Sequence, residues 1–165
     1  MISIQPIEPR DWPEAWKILH TVFAAGDTFA YAPETTERQA HTAWVDSPLA
    51  TFIAKEEDGT IAGIYYLKPN QPGLGSHIAN AGYVVSVSAR GRGIATQLCE
   101  HSQEEAKRRG FLAMQFNLVV STNEIAVRLW QKLGFTIVGR VPDGFQHREL
   151  GLVDTFVMWK RLAER

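Results

Sequence analysis

A basic, glycine-rich turn is the part of this sequence whose residue types and spacing best suit the binding of an anion. Arg90, Gly91, Arg92 and Gly93 follow an apolar run that ends at Val87, and they precede a stretch with helical periodicity. The first N–H groups of a helix have no partner inside it, and the helix dipole and the two arginines add positive charge. Because glycine has no Cβ, a ligand can approach the backbone closely. The turn therefore predicts a phosphate or pyrophosphate site, with a solvated surface turn as the alternative.

The elements that must position this turn are a mixture of strands and helices. Apolar runs and alternating patterns predict strands at 1–7, 51–57, 60–68, 78–87, 111–120, 135–140 and 152–160. Helical spacing and capping signals predict helices at 11–25, 34–44, 123–133 and from the turn to about 109. The order β-α-α-β-β-β-α-β-α-β-β predicts an α/β fold with one mixed sheet and helices on both of its faces.

Two local patterns predict element boundaries. Asp11 is predicted to cap the first helix, with Glu14 as its capping-box partner. Between the last two strands, a polar segment that contains Pro142, Gly144 and His147 is predicted to be a loop.

Composition narrows the classes of protein to which the chain can belong. The 165 residues are expected to form a single domain, 1–165. The net charge of −1 argues against nucleic acid and against an anionic membrane as partners. A single cysteine allows no internal disulfide, and we see neither a secretion signal nor an apolar run of membrane-spanning length, so we expect a cytoplasmic protein. The five histidines lack the spacing of a metal site, so we expect no metal.

Two motifs resemble those of one enzyme family. The turn at 90–95 has the pattern R-x-x-G-x-A, which resembles the Q/R-x-x-G-x-G/A signature of the GCN5-related N-acetyltransferases (GNAT). The stretch at 123–135, N-x-x-A-x-x-L-W-x-x-x-G-F, resembles a later motif of the same family. The resemblance covers about 2–160. It implies the GNAT fold, a central mixed sheet of about seven strands with helices on both faces and a splayed pair of central strands.

The resemblance implies acetyl-CoA as cosubstrate, with its pyrophosphate on the turn and its pantetheine arm in the gap between the splayed strands. The residues expected to contact acetyl-CoA are Val85, Val87, Arg90, Gly91, Arg92, Gly93, Ile94, Ala95, Thr96, Asn123 and Trp130. A backbone N–H near Val85 would face the thioester oxygen and stabilise it as it becomes negative, which makes Val85 a catalytic candidate. The valines of this strand are equally compatible with an ordinary core strand.

Trp130 departs from the family pattern, because many members carry tyrosine there as the acid for the departing thiolate. Tryptophan has only an N–H donor and cannot serve as an acid near neutral pH. We therefore expect Trp130 to pack in the core. Water can protonate the thiolate instead, since a thiol has a pKa of roughly 8.5. The departure puts a dedicated general acid in doubt.

Three asparagines are candidates for polar contacts in the site. Asn117 lies in a strand predicted to be largely buried, where an unpartnered amide costs on the order of a few kcal/mol. It either bonds a neighbouring backbone group or lines the gap and bonds the acceptor or acetyl oxygen, which makes it a catalytic and substrate candidate. Asn70 lies in a rigid, proline-bounded loop and is a substrate candidate. For Asn123, the alternative is a helix N-cap.

Finer resemblances concern the acceptor. The runs at 66–73, 80–82 and 116–119 resemble acetyltransferases that act on azetidine-2-carboxylate and related proline analogues. The run at 28–35, with Trp44, is similar to the lid region of small L-amino-acid N-acyltransferases, which makes Tyr31 a substrate candidate. His77, before the central strand, is either a proton relay or a surface hydrogen bonder.

The sequence thus predicts an acetyl-CoA-dependent N-acetyltransferase that acts on the amine of a small, amino-acid-like acceptor. Acetylation of a protein N-terminus or lysine is one alternative, and a catalytically silent coenzyme A sensor is another. The sequence leaves open whether the chain forms a homodimer.

Overall fold

A seven-stranded mixed sheet forms the centre of the molecule, as predicted. The computed structural model describes residues 1–164. Its strands are β1 Ser3–Pro6, β2 Ala50–Lys55, β3 Ile61–Pro69, β4 Ile78–Val85, β5 Ala113–Val120, β6 Thr136–His147 and β7 Gly151–Arg161. Its α-helices are α1 Trp12–Ala25, α2 Glu37–His41, α3 Ile94–Arg108 and α4 Glu124–Lys132. The strand order across the sheet is β1-β2-β3-β4-β5-β7-β6.

Both faces of the sheet are covered by helices, because its central strands are apolar on both sides. Successive side chains of a strand point to opposite faces. Tyr65 accordingly packs into the cluster that holds α3 and Trp130 of α4, whereas Tyr66 packs with α1 and Trp44 on the other face. Within 1–164, none of the helices is both long and apolar enough to cross a membrane.

The strands β4 and β5 are splayed, which confirms the gap that the resemblance implied. Each has eight residues, yet they pair only at Ile78 with Ala113 and at Ala79 with Met114. The even-numbered residues of β4 bond to β3, since the Ser86 amide donates to a β3 carbonyl and the Ile78 carbonyl accepts from the residue after β3. Strand periodicity therefore turns the backbone groups of the odd-numbered residues, up to Val85, toward the gap.

The polar segment between the last two strands is not the loop that we predicted. The strand β6 continues through Pro142 and Gly144 to His147, and only the residues 148–150 form the turn. β6 lies at the edge of the sheet, where proline is tolerated, and Pro142 has no register partner in β7. A register shift between Val141 and Phe145 accommodates the irregular residues.

Other boundaries also differ. Asp11 does not cap α1 through its side chain, because its carboxylate accepts from the Glu8 amide and from Lys55. Glu14 instead accepts from the Ile61 amide. The second helix begins after a Thr36 cap and continues as a π-helical turn at Thr42–Asp46. β4 ends at Val85, two residues earlier than expected.

Candidate active site

The turn after β4 has the geometry of an anion cradle. Gly91 and Gly93 have φ angles of 75° and 76°, the left-handed region that glycine favours. A Cβ added to either glycine would meet no heavy atom within 4 Å, so the space above the turn is open. Among the described residues, no hydrogen-bond acceptor contacts the six successive backbone amides of residues 91–96. This array fits a pyrophosphate at the N-terminus of α3.

The two arginines of the turn have different surroundings. Arg92 donates both terminal nitrogens to Glu56, at 2.8 and 3.0 Å, and so braces the turn against the β2–β3 connection. That bond is the main reason why the pKa of Glu56 lies below its usual value. Arg90 is exposed and forms no ion pair within 1–164. Arg90 is therefore the arginine that is available to an anion.

The remaining residues predicted to contact acetyl-CoA differ in how far their side chains are buried and in where their backbone lies. The side chain of Ile94 is buried in the core, so only its backbone faces the turn. Ala95 and Thr96 are half-buried in the first turn of α3. Val87 lies in a short 3-10 turn with an exposed side chain, whereas Val85 keeps its backbone in the gap.

A cavity of about 380 Å³ opens along the gap between the splayed strands. Its walls come from β3, β4, β5, α4 and the segment 28–31. The predicted site residues on its wall are Tyr31, Asn117, Asn123 and Trp130. The structure does not bring His77 to this cavity, because it is exposed at the opposite end of β4 from the turn.

Asn117 lines the cavity for a reason that differs from our expectation. It is exposed rather than buried, because β5 bulges between Phe116 and Val119 against β7. Such a bulge re-aims side chains, here toward the cavity. The Nδ2 of Asn117 donates to the Oδ1 of Asn70 at 2.7 Å, and its Oδ1 accepts from Gln115 at 3.0 Å. Asn70 is thus brought to the site as a partner of Asn117 and does not itself line the cavity.

Asn123 has the role that was the alternative in the sequence, that of a helix N-cap. Its Oδ1 accepts from the Ala126 amide at 3.3 Å, which caps α4. The same residue lies on the cavity wall, and its Nδ2 donates to no acceptor among residues 1–164.

Trp130 packs as expected. It is 9% exposed, and its ring lies 5.1 Å from that of Tyr83 and 5.2 Å from that of Phe116. Three tyrosines also line the cavity, and burial keeps all three in the protonated form. Burial raises the pKa of Tyr31, of Tyr66 and, most strongly, of Tyr83, whose hydroxyl bonds to a buried serine.

Two residues that shape the cavity lie in the run 80–82 of the finer resemblance but were not predicted as site residues. Asn80 is buried, and its Nδ2 donates to the Gln115 carbonyl at 2.9 Å, just where β4 and β5 separate. Gly82 lies under the ring of Tyr66, where a Cβ would be 2.7 Å from a ring carbon. A polar residue and a glycine inside an apolar run were the available signals.

Comparisons with known proteins agree with this geometry. A family model described as the acetyltransferase (GNAT) family matches residues 8–135. The N-acetyltransferase aca1 of Schizosaccharomyces pombe is 41% identical over 99 residues, which are 59% of this chain. This chain spans only 47% of the length of that relative in the comparison.

Solved structures match over nearly the whole length. A GCN5-related N-acetyltransferase from Kribbella flavida is 41% identical, with 98% of each chain covered and a TM-score of 0.93. The structure of yncA from Salmonella typhimurium, solved with its cofactor acetyl-CoA, has a TM-score of 0.87. It covers 100% of this chain and 96% of its own, and at 20% identity it shows a shared fold.

Proposed function

Because the chain belongs to the acetyltransferase (GNAT) family, we propose that it is an acetyl-CoA-dependent N-acetyltransferase with a small, amino-acid-like acceptor. The observation that carries the proposal is a continuous path: a row of amides at 91–96 that have no acceptor within residues 1–164, a gap beside β4, and a cavity at the far end of that gap. Such a path suits a ligand with a phosphate at one end and a reactive group at the other.

When bound, acetyl-CoA supplies a thioester whose acetyl group passes directly to the amine. The chain contributes position and hydrogen bonds. The amides of 91–96 and Arg90 hold the pyrophosphate, and Gly91 and Gly93 leave room for it. The N–H of Val85 faces the gap, where it is suited to stabilise negative charge on an acyl oxygen.

The acceptor side is built from uncharged amides and aromatic rings, apart from one lysine. Asn117, held by Asn70 and Gln115, presents its amide to the acceptor. Tyr31 stacks on Phe23 of α1, at 4.8 Å between ring centroids, and closes one wall. The cavity of about 380 Å³ must hold the acetyl end of acetyl-CoA as well as the acceptor, which favours an acceptor of the size of azetidine-2-carboxylate or another small amino acid.

The proton balance needs no enzyme acid. Within 1–164, no histidine, aspartate, glutamate or cysteine lines the cavity, and Trp130 has no proton to give near neutral pH. The amine therefore loses its proton to water before or during transfer, and water protonates the thiolate. The rate should rise with pH as the neutral form of the acceptor amine becomes more abundant.

Two measurements test the proposal. Calorimetry should detect acetyl-CoA binding to the purified chain, and a free-thiol assay should detect turnover with a panel of small amino acids and proline analogues. Turnover of peptides but not of free amino acids would favour the protein acetyltransferase. Binding of acetyl-CoA without turnover of any acceptor would favour the sensor.

A further inference from the structure

Lys68 is the only charged residue on the cavity wall within the described part of the chain. It lies on β3, directly opposite Asn80 of β4 and two residues after Tyr66. Side chains two residues apart on a strand share a face, so Tyr66 and Lys68 lie side by side above the same part of the cavity. A wall of otherwise uncharged, largely apolar groups thus carries one full positive charge.

In the part of the chain that the structure describes, no carboxylate forms an ion pair with Lys68. Its Nζ lies 5.3 Å from the centroid of the Tyr66 ring, a cation–π contact that fixes the head group at the wall. Within 1–164, Lys68 forms no ion pair, whereas Lys55 of the neighbouring strand β2 is paired with Asp11 at 2.6 Å. A half-buried cation without a counterion beside a ligand cavity is suited to bind an anionic group of that ligand.

The phosphates of coenzyme A are not that anionic group. Lys68 pairs with Asn80, and the turn that cradles the pyrophosphate begins only after Val85. Five residues of strand span about 17 Å. Lys68 therefore stands at the acceptor end of the cavity, on the side of Asn117 rather than of Gly93.

We propose that Lys68 binds the carboxylate of the acceptor and thereby restricts the enzyme to free amino or imino acids. The inference rests on the proposed function, since it assigns the acceptor class of that site. The same charge disfavours the ammonium form of the acceptor and so favours the neutral amine that attacks. A peptide N-terminus, whose first residue ends in an amide, gains nothing from Lys68.

The test compares a carboxylate with its amide in three proteins: the wild type, Lys68→Met and the matched control Lys17→Met. Lys17 is exposed on α1, so that its loss changes the net charge equally but away from the cavity. We expect Lys68→Met to lower kcat/KM for L-azetidine-2-carboxylate by about 10- to 100-fold, the usual effect of losing a bond to a charged group. L-azetidine-2-carboxamide should change by less than about threefold, and Lys68→Arg should retain the preference for the acid.

Equilibrium binding separates this inference from the proposed function. Tetrahydrofuran-2-carboxylate and its carboxamide have no amine and cannot be acetylated, so their binding to the coenzyme A complex can be followed by ligand-observed NMR. If the wild type binds the carboxylate more tightly than the carboxamide, and Lys68→Met removes this difference, the inference is supported. This holds even if no acceptor is turned over and the proposed function is wrong. An equal effect of the substitution on acid and amide, in turnover or in binding, overturns the inference and leaves the acetyltransferase intact.

Discussion

At the scale of residues, the acceptor side of the site depends on side chains that irregular backbone turns toward it. The sequence pointed to Asn117 as a polar residue in an apolar strand, and to Asn70 in a rigid loop. It did not predict that they bond to each other, or that Asn117 is exposed. Both facts follow from the bulge in β5, which depends on its register against β7 some forty residues later. A non-local pairing of this kind leaves no mark on the local pattern of residues.

The Asn117–Asn70 bond leads to a prediction for both residues. Asn117→Ala should lower kcat, by about tenfold, since it removes an amide that faces the acceptor. Asn70→Ala should raise KM by a few-fold with kcat nearly kept, because it releases the Asn117 amide without deleting it; one such hydrogen bond contributes about 1 kcal/mol. The double variant should be no worse than Asn117→Ala.

Steady-state kinetics with an acceptor from the panel measures both constants for the three variants. Urea unfolding supplies the control, because all three should unfold with midpoints close to that of the wild type. Additive losses in the double variant would mean that the two asparagines act independently. Unchanged constants in every variant would return both residues to a structural role.

At the scale of elements, the strand–turn–helix unit was predictable, whereas the last hairpin was not. The signals for β4, the glycine turn and α3 are all local: an apolar run, two glycines and a helical stripe. In β6, Pro142 and Gly144 are equally strong local signals for a loop, yet the residues pair in register with β7 around an irregularity. The pairing partner and the edge position decide the outcome there, and neither is visible locally.

The glycine turn carries the prediction for acetyl-CoA. Gly93→Val should abolish detectable binding of acetyl-CoA, since the added side chain would occupy the open space over the amides of 91–96. The substitution also strains a residue whose φ is 76°. The matched control is Gly110→Val, which has the same kind of strain at φ 87° and the same open surroundings. It lies at the other end of α3, about 22 Å away.

Calorimetry with acetyl-CoA distinguishes the two glycine variants. Both should lose a similar amount of stability, about 1 to 2 kcal/mol, because a side chain is forced into the left-handed region. Only Gly93→Val should lose the ligand. Wild-type affinity in Gly93→Val, or an equal loss in Gly110→Val, would contradict the assignment of this turn to the pyrophosphate.

At the scale of the whole molecule, the site depends on the helical layers that pack against both faces of the sheet. The α1 layer carries Phe23, on which Tyr31 of the cavity wall stacks. Its attachment to the sheet includes the buried pair of Asp11, 4% exposed, with Lys55 of β2. Burial by itself raises the pKa of Asp11, but the bonds from Lys55 and from the Glu8 amide together outweigh it and bring the pKa below 3.8. The carboxylate is therefore ionised where it anchors α1.

The Asp11–Lys55 pair predicts how the stability of the molecule depends on pH. A carboxyl group with a lower pKa in the folded than in the unfolded state stabilises the fold above its unfolded pKa and loses that contribution as the pH falls through its folded pKa. Asp11→Asn keeps the shape but removes the charge, so the free energy of unfolding at pH 7 should fall by about 2 kcal/mol. The difference from the wild type should shrink as the pH falls below 3.8.

Glu124→Gln is the control, because its partner Arg128 is 79% exposed and such surface pairs contribute only about 0.3 to 0.5 kcal/mol. Urea unfolding of the three proteins at pH 7 and at successively lower pH measures the effect. A loss in Asp11→Asn that stays constant down to pH values well below 3.8 would show that the charge of Asp11 does not anchor α1.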